Sequence, residues 1–252
     1  MIKPKMKPIL FSTPMVQAIL REENPKTNTR RVILPQPVLE PWDGTPGMWK
    51  WKDCQWMDGG LGMPQSGVDD YAPCRPGDVL WVRETWYLET HYGAHSYVYR
   101  ASSPDYPVDV GVGQHGWRPS IFMPKAAARI FLQVADVRVE RVQEITDDDA
   151  LNEGIPDNGW FPMDKVYCPR CQGEGLIGAL DPDSLGFMEI DCPDCIRPSQ
   201  RFANLWNNLN AKRGYGWDKN PWVWVYAFRR IEKEEAYREA TEIEDGCKLP
   251  AS

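Results

Sequence analysis

The chain has 252 residues, 42% of them hydrophobic and 12 of them Trp, so it can bury a real core and a wholly disordered chain is excluded. Its net charge of −7 and pI near 5.1 exclude a bulk attraction to nucleic acid, so a polyanion site would have to be a local basic patch. No apolar run reaches the roughly 18 residues of a membrane span, and none resembles a signal peptide. We therefore expect a soluble, cytoplasmic protein without a membrane partner.

The first predicted element is a helix over residues 12–24, STPMVQAILREEN. Thr13 is a suitable cap and Pro14 suits the first helical position. Asn24 precedes a proline, which disfavours helical backbone and ends the element there. The residues that come next should therefore lie on a loop or at the start of a strand.

A basic segment, KTNTRR (residues 26–31), follows this helix in an otherwise acidic chain. Because the two Arg disfavour the charged form of the neighbouring Lys26, the pKa of this lysine is expected to fall. Such a lysine can activate Thr29 as a nucleophile. Together with Arg30 and Arg31 it can equally bind a phosphate or a carbonyl group. The third interpretation is a solvated basic turn.

Residues 34–75 are rich in Pro, Gly, Asp and Trp without a clear period, and we interpret them as an irregular insertion. Residues 75–88 then predict a turn and a strand, with residues 96–102 as the hairpin partner. Two motifs, WVRETW and GWRPS, place aromatic residues beside arginines, a common way of holding an unpaired base. Their candidate ligand-binding residues are Arg83, Glu84, Trp86, Trp117 and Arg118.

The longest β signal is ARIFLQVADVRVERVQ, residues 128–143. Its apolar positions change parity near Ala135 and Asp136, which predicts a bulge or a bend of the kind that a closing barrel requires. The amphipathic segment 199–210 predicts a helix with Phe202, Leu205, Trp206 and Leu209 on one face. The apolar run 222–228 predicts a strand that is covered on both faces. We assign four tryptophans mainly to packing: Trp81, Trp206, Trp222 and Trp224.

The segment ITDDDALNEG predicts a short helix that Thr146 caps and Gly154 ends. Glu153 lies at the negative end of that helix dipole, where a carboxylate is mildly unfavourable. A residue that is unfavourable for its own helix can be there because it serves a function elsewhere in the protein. Glu153 is therefore a candidate for pairing with Lys26 or for donating a proton.

The cysteines provide the most specific motif in the chain. Cys168, Cys171, Cys192 and Cys195 form a C-x2-C-x20-C-x2-C pattern, in which two knuckles present four thiolates. Four Cys ligands complete a closed tetrahedral zinc site with no open position for a water, so we expect a structural Zn²⁺. A redox dithiol is the alternative, but it would need only one of the two pairs.

Four motifs in this order resemble the ASCH domain of the PUA-like superfamily, and in particular its longer phage and prophage forms. The motifs are KTNTRR, PGDVLWVRETW, ITDDDALNEGI and NPWVWVYAFRRI, and the resemblance covers residues 8–33, 76–154 and 199–231. It implies an α+β fold, a bent β-barrel with peripheral helices. The implied domain limits are 1–160 with 199–231 for the barrel domain, 161–198 for the zinc insert and 232–252 for an acidic tail.

The resemblance also implies function. ASCH and PUA-like domains are associated with RNA or modified nucleobases in a cleft beside the barrel, and some small members are amidohydrolases that deacylate N4-acylcytidine. The pattern of those enzymes matches Lys26, Thr29 and Glu153, which would act as activating base, nucleophile and proton shuttle. We thus expect a protein that binds RNA, single-stranded nucleic acid or a modified nucleotide. The alternatives are an amidohydrolase of acylated nucleosides and a module whose zinc insert docks a protein partner.

Overall fold

The computed structural model describes residues 4–42, 45–57, 65–91, 94–107, 116–156, 168, 170–172, 176–180 and 186–241. There the chain is mixed α+β, with more strands than helices. The strands are β1 Met6–Leu10, β2 Asn28–Val32, β3 Val38–Trp42, β4 Thr45–Trp51, β5 Cys54–Met57, β6 Val79–Arg83, β7 Trp86–His91, β8 Ala94–Tyr99, β9 Phe131–Arg141, β10 Leu176–Leu180, β11 Phe187–Asp191 and β12 Trp222–Ile231. The helices are α1 Thr13–Ile19, α2 Gln65–Tyr71, α3 Asp147–Asn152, α4 Pro198–Asn210 and α5 Lys233–Thr241.

The described strands form four sheets, of five, three, two and two strands, and none of the four closes into a barrel. The α+β class expected from the sequence is therefore present, but in open sheets. No helix in this part of the chain is long and apolar enough to cross a membrane. The chain divides into two compact units, which do not coincide with the domain limits expected from the sequence.

The first unit comprises residues 1–22, 72–137 and 226–252. It holds β1, β6, the first part of β9 and the last part of β12, with β1 parallel to β6 and β6 antiparallel to β9. Val79 and Phe131 lie in its core without exposure to solvent. Helix α5 packs on this core through Ala236 and Tyr237, so the beginning of the predicted acidic tail is part of the fold.

The strand predicted over residues 75–88 is in fact two strands, β6 and β7, which are separated at Glu84 and Thr85. The hairpin partner is therefore β8 with β7, and Trp86 pairs with Tyr99. The interruption occurs where Glu84 is buried and binds Arg129, an interaction that alternation along one strand does not predict.

The second unit comprises residues 23–71 and 138–225. In it β2 lies beside β12, and β3, β4 and β5 form an antiparallel meander. The irregular insertion predicted over residues 34–75 is thus wrong, because this segment contains three strands and helix α2. Tryptophans give the meander its packing: Trp49 and Trp56 meet Trp222 edge to face, and Trp51 meets Trp224 in the same way.

The burial of individual strands follows the sequence closely. Along β9, Val134 and Val137 are buried while the two residues between them are exposed, which is the predicted change of parity. The first five residues of β12 are all buried, as expected for a strand covered on both faces. All four tryptophans assigned to packing are buried.

Two helix details differ from the sequence prediction. The N-cap of α1 is Ser12 rather than Thr13, which is already helical, and the cap makes no side-chain hydrogen bond. In α4, Phe202 and Trp206 are buried as predicted, but Leu209 is 60% exposed. In the last turn the buried position is instead taken by the neighbouring Asn210, which is 7% exposed.

Candidate active site in the second unit

The side chains of Lys26 and Glu153 form a buried ion pair in the second unit. Lys26 Nζ donates to Glu153 Oε2 at 2.8 Å and to the Glu153 carbonyl oxygen at 2.6 Å. The two side chains are only 1% and 6% exposed. The pairing expected from the unfavourable position of Glu153 is therefore confirmed, and the solvated basic turn is excluded for Lys26.

The end of helix α3 provides the second acceptor for Lys26. Gly154 has a φ of +92°, and its N–H donates to Leu151 O while the Ile155 N–H donates to Ala150 O. These two bonds are the Schellman arrangement, which glycine permits because it has no Cβ. The carbonyl of Glu153 is left pointing out of the helix end, where the cationic Lys26 complements the negative pole of the dipole.

Arg30 contributes the second cation, from strand β2. Its Nη1 donates to Glu153 Oε1 at 3.2 Å, and its Nη2 donates to Glu140 at 3.0 Å and to Asp149 at 2.9 Å. The Arg30 side chain has no exposure to solvent. Each oxygen of the Glu153 carboxylate thus binds a different cation, which fixes the orientation of the group.

Asp149 ties β2 to helix α3. It accepts from Asn28 Nδ2 at 3.3 Å and from Arg138 Nη2 at 3.0 Å, in addition to Arg30. A backbone bond from Thr27 N to Asn152 O, 2.9 Å long, fixes the register at the same place. Arg138 also binds Glu140. Consequently the site consists of three cations and three carboxylates with a formal net charge of zero: Lys26, Arg30, Arg138, Glu140, Asp149 and Glu153.

Burial is the main influence on Lys26. Removal from water lowers the pKa of Lys26 below its ordinary value of 10.5, while the carboxylate of Glu153 opposes the shift, and the nearby Arg31 and Arg30 lower the pKa further. A lysine with a lowered pKa supplies the uncharged amine that a general base requires. The direction of this shift agrees with the one expected from the sequence.

The other members of the basic segment are placed differently. Thr29 is buried, at 3% exposure, on β2 one residue before Arg30, whereas Arg31 is exposed. Thr27 donates its hydroxyl to Asn152 Oδ1 at 3.3 Å. The segment therefore presents Lys26, Thr29 and Arg30 inside the fold and Arg31 at its surface.

The residues of the WVRETW and GWRPS motifs belong to the first unit. Glu84 accepts two hydrogen bonds from Arg129, at 2.8 and 2.9 Å, and Arg83 donates to the backbone carbonyls of residues 121 and 123. Trp86 is buried against Arg118, whose guanidinium lies 5.1 Å from the ring centroid. Trp117 is half-buried. All of these residues except Trp117 have shown structural partners within their own unit, and the role of the five in ligand binding stays a prediction.

The four cysteines of the C-x2-C pairs converge, with all four sulfur atoms within 4.8 Å of one another. Cys168 and Cys192 are 3.6 Å apart at sulfur, and Cys171 and Cys195 are 3.5 Å apart. These distances are far longer than a disulfide of about 2.05 Å. They are close to the edge of about 3.8 Å that four Zn–S bonds of about 2.3 Å would define in a tetrahedron. The cluster is therefore compatible with a metal site.

Arg201 of helix α4 links this cluster to the residues that follow α3. It donates to Cys195 O at 2.8 Å and to Pro156 O at 2.6 Å. Asp147, in the first turn of α3, accepts from Arg197 Nε and Ser199 N at 3.0 Å each. Hydrogen bonds thus connect the start of α3 to the start of α4, immediately after the second C-x2-C pair.

Reasoning from the sequence missed three members of the charged cluster: Arg138, Glu140 and Asp149. In the sequence, Asp149 is simply one of three consecutive aspartates in the first turn of α3. The available signal was the pair of charged residues on β9, since Arg138 and Glu140 share one face of a strand and contact each other. No family model, curated protein or solved structure matches this chain.

Proposed function

We propose that this chain binds a modified nucleobase and hydrolyses an acyl group from its exocyclic amine, using Lys26, Thr29 and Glu153. The observation that carries the proposal is the buried contact of 2.8 Å between Lys26 and Glu153, two residues that lie 127 positions apart. Two members of the three-residue pattern implied by the ASCH resemblance therefore meet in space. The buried Thr29 lies on the same segment.

The charge balance of the cluster favours an uncharged substrate group. Lys26 and Arg30 are already bound to carboxylates, so neither offers an uncompensated positive charge to a phosphate. An acylated base is neutral and presents an amide carbonyl. Amide hydrolysis is also accelerated by a positioned base and a proton donor, and the hydrogen-bonded pair of Lys26 and Glu153 can supply both.

The proposed reaction proceeds in two steps. Uncharged Lys26 Nζ takes the hydroxyl proton of Thr29, whose oxygen attacks the acyl carbonyl. The proton passes through the hydrogen bond to Glu153 and on to the leaving amine as the C–N bond breaks. Water then hydrolyses the ester, which releases the carboxylic acid and restores the Thr29 hydroxyl. Because the uncharged lysine is the base, the rate should rise with pH through the lowered pKa of Lys26.

The same observations support assignment to the ASCH group of the PUA-like superfamily as a proposal. We also propose that the four cysteines hold a structural Zn²⁺, because four thiolates form a closed set and zinc prefers such a tetrahedral site. Zinc bound there would fix the two knuckles together. It would take no part in the chemistry at Lys26.

The test is a hydrolysis assay with N4-acetylcytidine, in which cytidine and acetate are separated and quantified. Wild-type protein should release cytidine, and Thr29→Val should abolish the release without disturbing the fold, because Val has nearly the shape of Thr. Thr27→Val is the matched control and should retain activity. Full turnover by Thr29→Val would refute the mechanism.

Binding of RNA or single-stranded nucleic acid, the first expectation from the sequence, is tested in parallel with an unmodified oligonucleotide. Tight binding of this oligonucleotide, with no turnover of N4-acetylcytidine, would replace the hydrolase proposal with a nucleic-acid-binding function. Such binding would weaken steeply with salt, because phosphate contacts release counterions.

A further inference from the structure

The hairpin of β10 and β11 exposes an unusual amount of apolar surface. Of the 14 large hydrophobic side chains that are exposed in the described part of the chain, five lie on these two strands, and three of the five share one face: Leu176, Leu180 and Phe187. Phe187 is 87% exposed and Leu180 is 68% exposed, although a Phe is normally among the most buried residues. Concentrated exposure of this kind marks an interaction surface.

The register of the hairpin separates its two faces. On one face Ile177 pairs with Ile190, and Ile177 packs against the cysteine cluster. On the other face Leu180 lies opposite Phe187. That second face, which we call the outer face, consists of Leu176, Gly178, Leu180, Phe187, Glu189 and Asp191.

The charges of the outer face have one sign. Glu189 and Asp191 are both exposed, and the ten residues of the two strands include no Lys or Arg. A polyanion such as RNA would be repelled by this surface, and a second copy would place the same carboxylates near one another. A cationic partner with apolar side chains is complementary to it.

The hairpin is a two-stranded sheet in which each strand pairs only with the other among the described residues. Its outer backbone edges can therefore accept an additional strand, a common mode of peptide recognition. A strand presents alternate side chains to one face, so a bound segment can place apolar residues against Phe187 and Leu180 and basic residues against Glu189 and Asp191.

We propose that the outer face of this hairpin is a docking surface for an extended segment of a protein partner that carries both basic and apolar residues on one face, at every second position. The inference is independent of the hydrolase function, because it uses none of the residues around Lys26. Phe187 is its anchor, since an aromatic side chain that becomes buried at the centre of an interface contributes most to binding.

Calorimetric titration of the full-length, metal-loaded protein tests the proposal with three probes: a peptide with the repeat Lys-Thr-Lys-Thr-Val-Thr, whose Lys and Val residues share one face when it is extended, the same peptide with Glu in place of Lys, and an unmodified single-stranded RNA. The Lys peptide should bind and the other two should not. Phe187→Ser should weaken the binding by about tenfold or more, as for an interface anchor. Leu209→Ser, which changes another exposed Leu, should leave the affinity unchanged.

A charge-reversed variant keeps the proposal falsifiable. In Glu189→Lys with Asp191→Lys the preference should change from the Lys peptide to the Glu peptide, and both positions are exposed, so the fold should persist. Equal affinity for both peptides, or no affinity for either, would overturn the proposal. Binding of the RNA alone would overturn it too, as would self-association in sedimentation that Phe187→Ser abolishes.

Discussion

The ammonium of Lys26 and the carboxylate of Glu153 meet at 2.8 Å although 127 positions separate them in the chain. The same ammonium also binds the carbonyl of Glu153, so a single residue at the end of helix α3 supplies both acceptors. Arg30 holds the remaining carboxylate oxygen. The candidate site therefore depends on the contacts that Lys26, just before β2, and Arg30, within β2, make with the end of helix α3.

Lys26→Met should strongly destabilise the fold, because it leaves the buried carboxylate of Glu153 without its closest cation. We expect a loss of about 3–5 kcal/mol in the free energy of unfolding, the usual cost of breaking a buried ion pair on one side. Lys50→Met is the control, since Lys50 pairs with Glu40 at the surface, where such pairs contribute about 0–1 kcal/mol. Urea unfolding measures both, and equal losses would contradict the buried pair.

The stability should depend on pH through Lys26. Burial lowers the pKa of Lys26 in the folded chain, so between that lowered pKa and 10.5 the unfolded chain holds a proton that the folded chain does not. Stability rises with pH wherever the unfolded state binds more protons. The free energy of unfolding of the wild type, measured relative to Lys26→Met, should therefore increase as the pH rises toward about 10.5. A flat or falling difference in urea titrations would refute this direction.

Asp149→Asn and Asp148→Asn are a matched pair in the first turn of α3. Both remove a charge that favours the helix N-terminus, worth about 0.3–1 kcal/mol. Asp149→Asn also weakens the charged hydrogen bonds to Arg30 and Arg138, so it should cost a further ~1.5–3 kcal/mol. Thermal and urea unfolding of the two variants measure the difference. Equal stabilities would mean that the charged cluster contributes little.

Gly154→Ala should impair the site as well as the stability. The positive φ at this position costs an L-residue about 1–2 kcal/mol. Relief of that strain would move the Glu153 carbonyl away from Lys26. Gly214→Ala carries the same strain at a φ of +85°, with open space around the added Cβ, and it lies outside the cluster. Hydrolysis of N4-acetylcytidine should fall only in Gly154→Ala; an equal fall in both variants would point to stability alone.

The purified protein should contain one zinc per chain, as measured by elemental analysis, and a zinc chelator should lower its stability. Cys192→Ser should lose the metal, because Cys192 is a buried member of the cluster. Cys54→Ser changes a cysteine that lies outside the cluster and should retain it. A metal-free wild type, or a metal lost from both variants, would exclude the assignment.

Local signals predicted the helix that carries Glu153 well. A Thr cap, three acids and a terminal glycine are close in sequence, so α3 was predictable from Thr146 to Gly154. The pairing with Lys26 was also predictable, because Glu153 violates the dipole rule. The two knuckles were predictable from spacing alone, since each C-x2-C pair is a local structure.

The rest of the fold and of the site depends on contacts between residues far apart in the chain, which the spacing of residues in the sequence does not reveal. The meander of β3, β4 and β5 packs through tryptophans onto Trp222 and Trp224, which lie far along the chain. The high content of Pro and Gly in this segment concealed the alternation of inward-facing and outward-facing residues along its strands. Likewise Glu140 joins the site only because β9 and β2 flank β12, and sheet order is not visible in any single segment.

The neutrality of the six-residue charged cluster has a consequence for the solution conditions under which the protein can work. A site with uncompensated cations gathers small anions and must release them when its ligand arrives, so its affinity depends steeply on ionic strength. Around Lys26 and Arg30 the compensating charges are carboxylates of the protein itself, which remain in place. Substrate recognition there should accordingly be almost independent of the salt concentration.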